Sequence, residues 1–316
     1  MRRYALAVDL GGTNLRCAAV SDDGHVLTER QQPTDAQRGP EAVIASIVRI
    51  INETAAASGI PQDAAVGIAA PGPLNPRSGV VFFAPNLPGW RDIPLRERIA
   101  EMTGRAIVLG NDANAAALGE WHFGAGKGLE HLIYIGLGTG VGGGVISHGR
   151  LIDGVHGMGG ELGHVSVNID GPLCHCGSRG CIEAYCSGWA LADAIAAAQR
   201  SGHDATWSEA AETDEFSPAV LRIAAERGDA FASATLERAG TALGVGLANF
   251  INIFNPQLIV LGGGLIDLGE PLLVPVQRSM QAWAMPMMYA NTRLTYSKLG
   301  RRTGIYGAAA LVFLYA

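Results

Sequence analysis

The stretch Tyr4-Ala5-Leu6-Ala7-Val8-Asp9-Leu10-Gly11-Gly12-Thr13-Asn14-Leu15-Arg16-Cys17-Ala18-Ala19-Val20 decides the fold class. An apolar run closes on an acid, two glycines turn the chain, and a second apolar run follows, which reads as two strands joined by a tight turn. After the turn Asp22-Asp23-Gly24, His25 to Glu29 makes a third strand, so the chain opens as a three-strand meander. A helix is predicted over 41–57, because Val43, Ile44, Ile47, Val48, Ile50 and Ile51 recur at helical spacing and Ser58-Gly59 stops them before Pro61. A strand over 64–70 comes next. Beyond a Pro/Gly-rich stretch at 71–90, the pattern predicts a helix at 95–102, a strand at 106–109 and a helix at 113–121.

The pattern then restarts. Residues 131–137 and 144–147 read as a second hairpin around a glycine-rich turn, with a third strand at 163–167. Helices fill much of 187–254 around a polar, acidic loop at 204–217. A strand at 257–261, a helix at 271–283, a strand at 292–297 and a docking helix at 304–316 follow. Two passages of the same order suggest one duplicated α/β unit, with a nucleotide bound between the resulting lobes.

Composition bounds the function. The chain has 316 residues, 48 % hydrophobic and 16 % charged, enough for two cores and too apolar for disorder. Its 43 glycines are roughly twice ordinary usage and must serve turns and close backbone approaches. The net charge of −6, without any basic run, speaks against nucleic acid and acidic membranes as partners. The basic start at Arg2 and Arg3 is followed by apolar residues, but Asp9 and a glycine pair cut them before a secretion signal forms. No apolar run reaches the roughly 20 residues of a membrane span, so a cytoplasmic protein is expected.

Four motifs carry chemistry. Asp9-Leu10-Gly11-Gly12-Thr13-Asn14 puts bare backbone amides after a strand, either an ordinary hairpin turn or a nest for phosphate oxygens with Asp9 set to hold Mg2+ through water. Gly138-Thr139-Gly140-Val141-Gly142-Gly143-Gly144 repeats the theme. It matches a dinucleotide fingerprint by letter only, since Val145-Ile146-Ser147 continues as strand rather than opening a helix. Lys127 is followed by Gly128, so no Walker A loop is present. Gly262-Gly263-Gly264 after an apolar strand is either a tight turn or a place where a flat adenosine approaches the backbone. His164, Cys174, Cys176 and Cys181 offer one imidazole and three thiolates, a closed tetrahedral set for structural zinc; redox thiols or chance clustering are the alternatives. His175 between the thiols is read as exposed, and Cys17 and Cys186 as small buried apolar residues.

Asn111-Asp112 closes a strand and opens a helix. Asp112 there is either the helix N-cap or a carboxylate that accepts a hydroxyl proton as that oxygen attacks phosphorus. Glu161 and Glu183 flank the cysteine loop as surface acids or as a clamp for sugar hydroxyls.

Taken together these motifs resemble the ROK family of sugar kinases and sugar-responsive repressors over essentially the whole chain. Asp9 to Asn14 looks like the family's first phosphate motif, Thr139 to Gly144 the second, Leu261 to Gly264 its adenosine motif, and Glu161-Leu162-Gly163-His164 with the three cysteines its sugar and zinc signature. The resemblance implies an α/β, actin/hexokinase-like (ribonuclease H-like) two-lobed fold with duplicated βββαβα units and a zinc loop at 164–181. An N-terminal lobe of 1–112 plus 301–316 and a C-terminal lobe of 113–300 would follow. It implies transfer of phosphate from ATP to the 6-hydroxyl of a hexose, glucose first, with Asp112 as catalytic base. Gly72, Asn86, Asn111, Asp112, Glu161, His164 and Glu183 would hold the sugar, and Asp9, Gly11, Gly12, Thr13, Asn14, Gly138, Thr139, Gly140, Gly262, Gly263 and Gly264 the nucleotide. His164 would serve zinc and sugar together. Gly160 departs from the alanine common before the glutamate, which bears on the choice of sugar. An N-acetylmannosamine, N-acetylglucosamine or fructose kinase, or a non-catalytic sugar sensor, is the alternative. Family repressors carry an N-terminal helix-turn-helix, for which the sequence ahead of Asp9 has no room, and family members commonly form dimers or tetramers.

Overall fold

A computed structural model describes residues 2–202 and 219–316; the expected acidic loop at 204–217 lies outside them. The chain opens with β1 (Tyr4–Leu10), β2 (Asn14–Ser21), β3 (Val26–Pro33) and α1 (Pro40–Ser58). It goes on through β4 (Val66–Ala70), β5 (Leu74–Asn75), β6 (Val80–Phe83), β7 (Arg91–Ile93), α2 (Leu95–Thr103), β8 (Ile107–Asn111) and α3 (Asp112–His122). Then come β9 (Leu132–Leu137), β10 (Val141–Ser147), β11 (Arg150–Leu151), α4 (Glu183–Cys186), α5 (Gly188–Arg200), α6 (Ala219–Glu226) and α7 (Ala230–Phe254). The remainder is β12 (Leu258–Gly262), α8 (Glu270–Trp283), α9 (Pro286–Asn291), β13 (Arg293–Tyr296) and α10 (Thr303–Tyr315).

One sheet has the order β3-β2-β1-β4-β8 and another β11-β10-β9-β12-β13, the same arrangement met twice. In the first, the meander strands are antiparallel while β4 joins β1, and β8 joins β4, in parallel. In the second, β10 and β11 are antiparallel and β12 and β13 parallel. The expected duplicated α/β architecture is therefore present. The predicted strand at 163–167 is not. A 3-10 turn at Leu162–His164 replaces it, and the third strand of that meander is the two-residue β11. The reason is steric: a Cβ at Gly163 would lie 2.0 Å from the Val141 carbonyl oxygen, so backbone packs on backbone there and the chain turns toward its cysteines.

Two compact units emerge: residues 1–134, 144–160 and 297–316 form one, and residues 135–143 and 161–296 the other. This division differs from the one expected at residue 112, because α3 stays with the first sheet. A Cβ at Gly119 would lie 2.7 Å from the Gly307 nitrogen, and one at Gly307 2.4 Å from the Ala115 carbonyl oxygen. Helices α3 and α10 thus touch backbone to backbone. In the first unit Val43, Ile44, Ile47, Ile50 and Ile51 of α1 are buried in one core with Leu6, Val8 and Ile68. Each such side chain contributes about 1.5–3 kcal/mol relative to exposure. The expected docking helix is borne out, as Ile305, Ala308, Leu311 and Val312 of α10 are buried. In the second unit α7 buries Leu236, Leu243, Leu247, Phe250 and Ile251, with Gly240 and Gly244 letting the backbone of α8 approach. Among the described residues no helix is long and apolar enough to cross a membrane.

Candidate active site

In the first unit, β1 delivers Asp9 to the end of its sheet, where the register sets it opposite Arg16. The guanidinium lies 3.8 Å from the carboxylate and donates to the Arg301 carbonyl at 2.6 Å. Burial raises the Asp9 carboxyl above the usual carboxylate range, and the Arg16 charge opposes this. The turn after Asp9 is closed by the Gly11 N–H on the Asn14 carbonyl at 3.0 Å. Thr34 braces it, its hydroxyl donating to the Gly11 carbonyl at 2.7 Å and its N–H to that of Thr13 at 2.9 Å. Gln31 donates to the Asn14 side chain at 3.0 Å. Asn86 lies against this turn, since a Cβ at Gly12 would sit 2.7 Å from its own Cβ.

Asn111 and Asp112 sit at the β8–α3 junction. Asn111 has extended backbone, and its Oδ1 accepts from the N–H groups of Ala113 at 3.0 Å and Asn114 at 3.1 Å. Asn111 is therefore the N-cap; the sequence reading that gave this place to Asp112 is corrected, because Asp112 is already the first helical residue. The Asn111 amide donates to Asp112 Oδ1 at 3.1 Å, and the Ala113 N–H reaches the same oxygen at 2.8 Å. An exposed carboxylate is thereby held in one orientation. Gly72 adjoins Asn111, with a Cβ there lying 3.3 Å from Asn111 Nδ2.

In the second unit, the chain from Glu161 to Glu183 folds around the thiols. The ligand atoms of His164, Cys174, Cys176 and Cys181 all lie within 4.8 Å of one another. The Cys174 and His164 Nδ1 pair is 3.7 Å apart, as is the Cys176 and Cys181 pair. Zinc bonds of about 2.0–2.3 Å set tetrahedral donors roughly 3.5–3.8 Å apart, so the residues fit the metal. Left without a cation, the buried Cys181 thiol is pushed up to about 12 by desolvation and its neighbours Cys176 and Cys174; a bound dication reverses that balance. Gly180 makes the loop possible, with φ +69° and no space for a Cβ against the Asn168 carbonyl.

With Nδ1 of His164 facing the thiols, its Nε2 lies 4.0 Å from Glu161. The Glu161 carboxyl is raised by desolvation and by the Glu183 charge, while His164 lowers it. Glu183 is more engaged than a surface acid. One oxygen accepts the Val141 N–H at 2.8 Å, the other the Trp189 indole N–H at 3.4 Å, and Gly140 leaves room for it. The turn Gly138–Gly140 is also held by the Gly188 N–H on the Gly138 carbonyl at 2.8 Å. Gly262–Gly264 ends β12, and Gly263 packs on the Leu137 backbone. His175 is exposed, as read, but stacks on Trp189 with ring centroids 3.9 Å apart, a contact the sequence did not signal. Cys17 and Cys186 are buried as expected.

The sequence pattern of the ROK family matches residues 5–313. A glucokinase of Thermotoga maritima is 39 % identical over 308 residues, covering 97 % of this chain and 96 % of that protein. Among solved structures, a ROK hexokinase from Thermus thermophilus superposes with a TM-score of 0.83 at 34 % identity, covering 99 % of this chain and 98 % of that one. A ROK family glucokinase from Streptomyces griseus, solved with glucose and AMPPNP, gives a TM-score of 0.79 at 35 % identity and 98 % coverage of both.

Proposed function

Because the chain belongs to the ROK family, we propose that it is an ATP-dependent hexose kinase that phosphorylates the 6-hydroxyl of glucose, a glucokinase. The observation that carries this is the Asp112 carboxylate, fixed by the Asn111 amide and the Ala113 N–H at the mouth of α3. That geometry suits an acceptor which takes the 6-hydroxyl proton as its oxygen bonds to the γ-phosphorus and the bond to ADP breaks. Such a base works by orientation and by late uptake of the proton.

The other roles follow the same reading. Asn111, Glu161, His164 and Glu183 hold the sugar, with Gly72 and Asn86 at its side. The amides of Gly11–Asn14 and Gly138–Gly140 hold phosphate oxygens, and Gly262–Gly264 admits the adenosine. Asp9 would hold Mg2+ through water, and the ion would neutralise phosphate charge. His164 Nδ1 and the three thiols would hold zinc, and Nε2 of the imidazole so fixed would meet a sugar hydroxyl. The reading also places the enzyme in the cytoplasm, as a dimer or tetramer.

The test is a coupled assay of ADP release with MgATP over glucose, mannose, fructose, N-acetylglucosamine and N-acetylmannosamine, with Asp112→Asn as control. Turnover on glucose that the control loses supports the reading. Silence across the panel in folded, zinc-loaded protein moves the conclusion to a sugar sensor or to a sugar outside the panel.

A further inference from the structure

We propose that Glu120 is a positioning residue for phosphoryl transfer, its buried carboxylate holding the segment that sets Asp9 and thereby the affinity for magnesium-bound ATP. This rests on the kinase reading. Glu120 lies on α3 two turns beyond Asp112 and is 0 % exposed. A carboxylate so placed is tolerable only when its oxygens are satisfied. Both are: one accepts the Ala125 N–H at 2.9 Å, the other the Leu299 N–H at 3.2 Å together with the Ser297 hydroxyl.

The Ser297 oxygen in turn accepts the Gly300 N–H at 3.0 Å and pairs with the Thr303 hydroxyl at 3.1 Å. One buried carboxylate therefore ties α3 to the approach to α10, beside the Arg302–Glu29 ion pair at 2.8 Å. The far side of that approach meets Asp9. The Arg301 carbonyl anchors the Arg16 guanidinium that faces Asp9, and a Cβ at Gly304 would lie 2.5 Å from Asp9 Cγ. Burial pushes the Tyr134 phenol up, and the charges of Glu120, Asp112 and Asp9 add to the effect.

The charge itself matters, since three donors converge on two acceptor oxygens. A glutamine could turn its oxygen toward Ser297 and Leu299, but its NH2 would then face the Ala125 N–H, donor against donor. The approach to α10 would loosen, and Asp9 with it, whereas Gly72, Asn111 and the residues of 161–183 are untouched.

The experiment compares Glu120→Gln and Ser297→Ala with the parent protein by calorimetric titration of MgATP without sugar, alongside kcat and the glucose KM. We expect MgATP binding to weaken about tenfold in Glu120→Gln, the size of one hydrogen bond to a charged group, and roughly threefold in Ser297→Ala. The glucose KM stays within about twofold and kcat falls, since the hydrogen bonds lost lie on the Asp9 side. A purely structural role would lower thermal stability and the active fraction but leave the MgATP dissociation constant alone, and that result overturns the proposal. If Glu120→Gln does not fold, Ser297→Ala decides by itself. Weakened MgATP binding in the variants of a protein that turns over no hexose would keep the link from Glu120 to nucleotide affinity but overturn the kinase reading and, with it, the role in phosphoryl transfer. A parent protein that binds no MgATP overturns both.

Discussion

Substituting Asp112 by asparagine removes a proton acceptor but still offers an amide oxygen to the two donors that orient it. Turnover should therefore fall about 10²–10⁴-fold, while the melting temperature and calorimetric glucose affinity stay close to those of the parent; near-normal turnover would contradict the base assignment. Glu161 yields a pH prediction. Without a metal, burial raises its carboxyl above the ordinary glutamate value of about 4.3, and a dication held by the neighbouring His164 would draw it back down, so Glu161→Gln should alter the acid-range melting temperature of zinc-free protein more than that of zinc-loaded protein. In the loaded protein Glu161→Gln should weaken glucose binding. For folding the sign is opposite to that of a salt-bridged acid. The ionised form is disfavoured in the native state, so Glu161 takes stability away as pH rises through the interval between its unfolded and native values. Asp112 and Glu161 stand out as candidates in the sequence because their neighbours along the chain, Asn111 and His164, are also their neighbours in space. Glu120 does not, since the groups that satisfy it stand at 125 and at 297–299.

Among the elements, the proposed zinc loop has the sharpest consequence. The residues that would hold the metal span 164–181, and Glu183 and Trp189 just beyond them grip the Gly138–Gly140 turn. Elemental analysis should find about one zinc per chain, as a closed Cys3His set requires. Chelation or Cys176→Ser should change the Trp189 emission, because that indole stacks on His175 between two ligands. Weaker ATP binding should accompany the change as the turn loses its support, and unchanged fluorescence in zinc-free protein would count against the link. Legibility at this scale followed length. The helices at 41–57 and 271–283 have enough turns to show a period. Strands β5 to β7 have two to four residues each, too few for an alternation, and α9 buries no residue that could mark a face. The misplaced strand at 163–167 has the β-branched pattern of one, but Gly163 is pressed against the Val141 carbonyl, and His164 within it faces the three thiols that follow in the chain.

For the whole molecule, the repeated strand order was readable because both meanders open on apolar runs with a glycine turn between them. The boundary between the units was not, because it depends on α3 and α10 meeting at Gly119 and Gly307, positions far apart in the chain. Helix α10 is decisive for the first unit. Its Ile305, Leu311, Val312 and Phe313 are buried, each contributing about 1.5–3 kcal/mol, a sum comparable to the roughly 5–15 kcal/mol that keeps a domain folded. Removing 304–316 should abolish cooperative unfolding of the first unit in calorimetry, and a retained transition of full enthalpy would refute this. The same helix sets a timetable during synthesis. The ribosome finishes residue 134 well before it reaches 303, a delay of roughly 10–30 s at about 5–20 residues per second. Throughout that interval the strip of β4 around Gly67, where the Ala308 carbonyl will seat, lies bare. A chain that stalls or breaks before α10 keeps that apolar strip open to solvent, so the last helix to be made is the one that closes the first core.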